Sequence, residues 1–194
     1  MDVYPNIVST TGNRTAPGLW SWTYNTGLGD NISRSSPVQV GTSSWTSVSA
    51  GGTHTMAVRL GGSLFGWGLN TSGQLGINTA TTTSSPVQIG TSSWTSVSAG
   101  GTHSVAIRSD NTLWAWGNNL YEQLGIDNNY LPLQVGTSSW IKVGAGGDVN
   151  NGQMTAIDST GALYTWGINT GGQLGDGTTL SKSSPVKIGN KSWN

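Results

Sequence analysis

Apolar and polar positions alternate along this chain in short runs, and the runs return in a fixed order. From Trp45 the sequence reads WTSVSAGGTHTMAVRLGGSLFGWG, then a long polar stretch, then Pro86-Val87-Gln88-Ile89. Four short strands are predicted there: Trp45 to Ala50, His54 to Arg59, Ser63 to Trp67 and Pro86 to Ile89. Gly61-Gly62 marks a tight hairpin between the second and third, because glycine accepts positive φ at no steric cost. The fourth begins with Pro86, which suits an edge strand. Leu69 to Ser85, rich in Gly, Asn, Ser and Thr, reads as a loop. No window carries the period of an amphipathic helix.

The same order recurs from Trp94 and again from Trp140. Trp45, Trp94, Trp140 and Trp193 are 49, 46 and 53 residues apart. Trp22, Trp67, Trp116 and Trp166 are 45, 49 and 50 apart. Pro37, Pro86, Pro132 and Pro185 keep the first rhythm. Three markers in one phase define a repeat, and a period of roughly 50 points to propeller blades rather than helical hairpins. The expected fold is all-β: a propeller of about four four-stranded antiparallel blades, either a small ring or an arc completed by another chain.

The expected organisation is a single domain, with a partial blade over 1–44, blades over 45–93, 94–139 and 140–190, and an incomplete closing strand over 191–194. The partial blade has a weak second strand near Ile7 to Thr10, a third at Leu19 to Trp22 and a fourth at Pro37 to Val40. Its missing first strand would come from the closing strand, so that both termini share one blade and no edge is left free.

Two stretches are more specific than propeller logic requires. V-S-A-G-G-T-H-T-M-A-V at Val48 to Val58 returns as V-S-A-G-G-T-H-S-V-A-I at Val97 to Ile107. W-G-x-N-x-x-G-Q-L-G stands at Trp67 to Gly76 and Trp166 to Gly175, with a looser copy at Trp116 to Gly125. Together they resemble the repeat of the regulator of chromosome condensation family, from about Leu19 onward. The resemblance implies a β-propeller. Family members form rings of about seven blades, within the range propellers take. They serve as exchange factors for small GTPases, chromatin binders or interaction domains. Exchange depends on a wedge-like insertion and a complete face, and this sequence carries neither, so exchange activity is not carried over.

Composition narrows the partners. Charged residues make up 8% of the 194, and eight Lys and Arg balance eight Asp and Glu, against about 25% charged residues in ordinary domains. No basic patch is present to bind nucleic acid or a membrane surface. A hydroxyl- and amide-rich surface leans towards an extracellular assembly or a virus particle. The first 18 residues lack the basic start and apolar run of a signal peptide. There are no cysteines, so disulfides are excluded.

Candidate chemistry is sparse. His54 and His103 hold one slot in successive repeats, and Gln153 fills it in the next. The expected role is a buried imidazole hydrogen-bonded to the neighbouring strand or loop backbone, once per blade, since a metal site would need convergence and further ligands. The acids fall in turns, Asp30 and Asp176 in like places, and no pair repeats at a glycosidase spacing. The glycine motifs lack the Lys-Ser/Thr of a phosphate loop. The ten Trp residues could stack on sugars, but their phase favours packing between blades. The irregular insertion from Asp148 to Gly152 is the one candidate binding element, with Asp148, Asn150 and Asn151. No catalytic residue, cofactor or metal is expected. The function read from the sequence is a non-enzymatic protein-interaction or structural module, working through a protein partner or self-association. The alternatives are a regulatory binder of a GTPase or chromatin, and a carbohydrate-binding propeller.

Overall fold

A computed structural model describes residues 7–9, 18–23, 27–120, 122–124, 129–148 and 151–193. Every regular element among them is a β-strand. The first sheet joins β1 (Ile7–Ser9), β2 (Trp20–Thr23) and β3 (Arg34–Gln39). The second joins β4 (Trp45–Ala50), β5 (His54–Arg59), β6 (Leu64–Gly68) and β7 (Thr83–Gln88). The third joins β8 (Trp94–Ala99), β9 (His103–Arg108), β10 (Leu113–Gly117) and β11 (Asn129–Gln134). The fourth joins β12 (Trp140–Gly146), β13 (Gln153–Asp158), β14 (Ala162–Gly167) and β15 (Lys182–Ser192). All pairings are antiparallel and sequential, which is the meander of a propeller blade.

The outer strand begins earlier than its proline suggests. β7 starts at Thr83, inside the stretch read as loop. Gly66 lies opposite Val87 and Gly68 opposite Thr83, so the outer strand carries extra residues between two pairings. Pro86 sits in that bulge. Pro37, Pro132 and Pro185 sit in the matching irregularities of the other blades. A residue without an N–H interrupts the ladder where the ladder is already broken.

Each hydrophobic core lies between two blades, not within one. Along β5, Met56 and Val58 point one way and Ala57 the other, as strand geometry requires. Met56, Val58, Leu64, Leu75 and Ile89 pack on Trp94, Val97, Ala106 and Trp116 of the third sheet. Val105, Ile107, Leu113, Leu124 and Val135 pack in the same way on Trp140, Met154, Ala156 and Trp166. Leu19 and Val40 of the first sheet meet Trp45, Phe65 and Trp67. The innermost strands are tied by serine: Ser49 Oγ accepts the Ala99 amide at 3.0 Å, and Ser98 Oγ accepts the Ala145 amide at 2.9 Å.

The sheets form an arc that is not closed. No strand of the fourth sheet pairs with one of the first among the described residues. Lys191 and Ser192, read from the sequence as the opening of a closing strand, continue β15, with Ser192 opposite Ala162. The local reason is visible. Gly189 has φ 62°, matching Gly41 at 62°, Gly90 at 57° and Gly136 at 61°. The Trp193 amide donates to Gly161 O at 2.7 Å, as Trp94 donates to Gly62 O and Trp140 to Asn111 O, each at 2.8 Å. The chain leaves blade four as it leaves blades two and three.

Candidate functional site

The long loops after the third strands are held by one asparagine each. Asn70 Oδ1 accepts the Leu75 amide, Asn119 Oδ1 that of Leu124 (2.8 Å), and Asn169 Oδ1 that of Leu174 (2.9 Å). Asn70 Nδ2 donates to Thr79 O and Asn169 Nδ2 to Thr178 O, which pins the far side of the loop. An amide can donate and accept at once, so one residue closes both sides. The asparagine of W-G-x-N is therefore a loop staple, not a free ligand.

The histidines lie at the blade interfaces. His54 Nε2 is 2.8 Å from Ser104 Oγ, and Ser104 Oγ donates to Gln74 O at 2.8 Å. The serine proton is thereby used, so His54 carries its proton on Nε2 and donates. Trp116 Nε1 donates to the same carbonyl at 2.9 Å. In the next blade Met154 occupies the slot of Ser104. His103 is fully buried, and neither ring nitrogen reaches a partner at hydrogen-bond geometry. The backbone of Gln153 lies close enough to favour its charged form without completing such a bond. Burial holds His54 down at about 3, aided by repulsion from His103, and holds His103 at about 4. Both rings are neutral at physiological pH. Among the described residues, no three His, Cys, Asp or Glu side chains gather to hold a metal.

The acids shape turns. Asp110 Oδ1 takes the amide and hydroxyl of Thr112. Asp158 Oδ1 takes the Thr160 amide and hydroxyl and the Ala162 amide. Asp176 accepts the Thr178 amide and pairs with Lys182 at 3.2 Å, and these bonds hold its carboxyl at about 2. Asp30 accepts the Ile32 amide and pairs with Arg34 at 2.8 Å.

In the insertion, Asn151 Nδ2 donates to both carboxylate oxygens of Asp148, at 3.2 and 3.3 Å. The Asp148 backbone rests against Gly101 of the preceding blade. Asn150 lies outside the described residues. The structure thus brings Asp148 and Asn151 together as an exposed carboxylate and amide.

Most of the indoles are walls. Trp45, Trp94 and Trp140 are 2–3% exposed, and Trp67, Trp116 and Trp166 are fully buried. Their faces are closed to a sugar. Trp193, in phase with the first set, is 45% exposed.

Two cations were not singled out in the sequence. The Arg59 guanidinium lies 4.5 Å from the Phe65 ring centre and 5.5 Å from that of Trp45. The Arg108 guanidinium lies 3.6 Å from Trp114 and 5.2 Å from Trp94. Asp158 holds the same slot in blade four. The available signal was an Arg closing the second strand in two successive repeats, two residues before or after nothing else charged of its sign.

Comparison with known proteins fits this geometry. The repeat described as Regulator of chromosome condensation (RCC1) repeat matches residues 23–58, 61–107 and 160–193, and a second version of it matches 45–74 and 94–123. No match is found among curated proteins. Solved structures agree on the fold. Human WBSCR16 superposes with TM-score 0.78 at 23% identity, over 89% of this chain and 48% of that one. Prp20p from Saccharomyces cerevisiae, whose structure was described with its binding to Gsp1p and histones, gives 0.76 at 20%, over 90% and 47%. The ectodomain of the Physcomitrella patens receptor kinase CR4 gives 0.53 at 15%, over 85% and 39%. The chain therefore spans less than half of each of these structures. With more than half of its residues inside matched repeats and the blade architecture in place, this chain belongs to the regulator of chromosome condensation (RCC1) repeat family.

Proposed function

We propose that the chain is a non-enzymatic interaction module whose exposed blade edge takes a protein partner or a second copy of itself. One observation carries this reading. The forward face of blade four bears Ile157, Leu163 and Ile188 in the slots that Val58, Leu64 and Ile89 fill in blade two, yet these are only part-buried and Trp193 stands half-exposed. Part-buried apolar side chains on a blade face favour association, because each repeat buries its face on a neighbour. That Prp20p is described with protein partners, Gsp1p and histones, supports the broad class of protein binder. It also supports a rival reading as a GTPase or chromatin binder. A place in a virus particle or extracellular assembly rests on the low-charge composition alone. Light scattering on a sizing column tests the main reading. A mass above the 20.1 kDa of one chain, lost on Leu163→Asp, is expected. A monomer that also retains no protein from its source extract would overturn it. Acceleration of nucleotide release from a small GTPase would establish the rival.

A further inference from the structure

The loops that lead into three successive blades repeat a motif whose Thr and Ser residues serve the fold through their backbone. Gly-Thr-Ser-Ser-Trp occurs at 41–45, 90–94 and 136–140. The carbonyls of Ser44, Ser93 and Ser139 accept the amides of Leu60, Ser109 and Ser159, the residues that follow Arg59, Arg108 and Asp158. So the first two loops lie beside the hairpins that bear the stacked cations, and the third beside the hairpin that bears Asp158. Thr42, Thr91 and Thr137 are exposed, and packing does not require their hydroxyls.

Arg59 and Arg108 are held in an unusual way. Two aromatic rings fix each guanidinium. Neither makes a salt bridge or a hydrogen bond to the described residues, and both Nε atoms are buried without a partner. The two Nη groups of a guanidinium whose orientation is already fixed lose little entropy on meeting a carboxylate. Cation–π contact accounts for the stacking and leaves the terminal Nη groups of both arginines without a hydrogen bond to the described residues.

We propose that this hairpin end is an interaction surface for an acidic polypeptide segment, with Arg59 and Arg108 each taking one carboxylate and the Thr-Ser-Ser loops supplying hydroxyl contacts. The charge pattern favours a protein over a polyphosphate. Asp110 lies near Arg108, and Asp158 replaces the arginine in the next blade. A continuous polyanion would meet repulsion there, whereas two carboxylates spaced by one blade would not. The inference deepens the interaction-module reading but uses a different surface from the blade-four edge, so either can fail alone.

The probe is a neutral Gly-Ser peptide carrying one glutamate near each end, followed by Trp emission at low ionic strength, since the stacked cations touch Trp45, Trp94 and Trp114. A saturable change is expected, weakening with salt as surface charges are screened. Arg59→Gln with Arg108→Gln should abolish it. Arg59→Lys with Arg108→Lys should weaken it by about tenfold despite equal charge, because an ammonium cannot make the forked contact. Thermal melting of each variant separates loss of binding from loss of fold, and the lysine pair keeps the test open if the glutamine pair does not fold. Absence of saturable binding, binding unchanged in a folded variant, or equal saturation by inorganic phosphate would each overturn the proposal.

Discussion

His54 and Ser104 stand fifty positions apart and join two blades through a bond of 2.8 Å between Nε2 and Oγ. Both are fully buried. The serine passes its own proton to Gln74 O, where the Trp116 indole also donates. Ser104 and Trp116 of one blade thus share one carbonyl of the other, and His54 joins them through the serine hydroxyl. Ser104→Ala leaves the His54 N–H buried without an acceptor, which costs about 1–3 kcal/mol. Urea denaturation should show that loss with an unchanged slope; a variant as stable as the parent would mean that the link contributes nothing.

The same histidines predict an acid window. Their folded pKa values, about 3 and about 4, lie below the ordinary 6.5. The unfolded chain therefore takes up protons first as pH falls. Their contribution is fully present above pH 6.5 and is lost as pH falls towards those values, at about 1.4 kcal/mol per pH unit for each ring. Asp30, Asp110, Asp158 and Asp176, all lowered from 3.8, add their loss from the lower end of that window downwards. His54→Gln with His103→Gln should flatten stability between pH 6.5 and 4, as chemical denaturation across that range would reveal.

Two glycines in one motif should respond differently. Gly76 has φ 71°, and a Cβ there would lie 2.8 Å from Trp116 Nε1 of the next blade. Gly175 has φ 70°, and a Cβ there meets nothing within 4 Å. Gly175→Ala pays only the left-handed backbone penalty, about 1 kcal/mol. Gly76→Ala adds displacement of a buried indole and should lose about 3 kcal/mol or more. Equal melting temperatures for the two variants would refute this.

The in-phase tryptophans should split as well. Trp94→Ala empties a core contact beside Trp114 and Trp116 and should cost about 3–5 kcal/mol. Trp193→Ala, at an exposed position, should cost less than about 1 kcal/mol in a monomer. A large loss at Trp193 that depends on protein concentration would show that the residue is buried by association.

The repeat, its four-strand order and the packing role of the Trp and His slots were legible in the sequence, because alternation and period are local and recur. The strand starts at Thr83 and Lys182 were not. The polar residues before each proline look like loop, and only pairing with β6 and β14 makes them strand. The insertion at Asp148 stood out by breaking the period, but its Asp148–Asn151 contact needed coordinates. Arg59 and Arg108 did not stand out, because only tertiary packing sets aromatic rings against them. The sequence alone determined what each blade is, since a blade is specified by its own strands and turns. Only the tertiary structure decided which face of the last blade stays open and which polar groups lose their partners, because those follow from what a neighbouring blade does or does not cover.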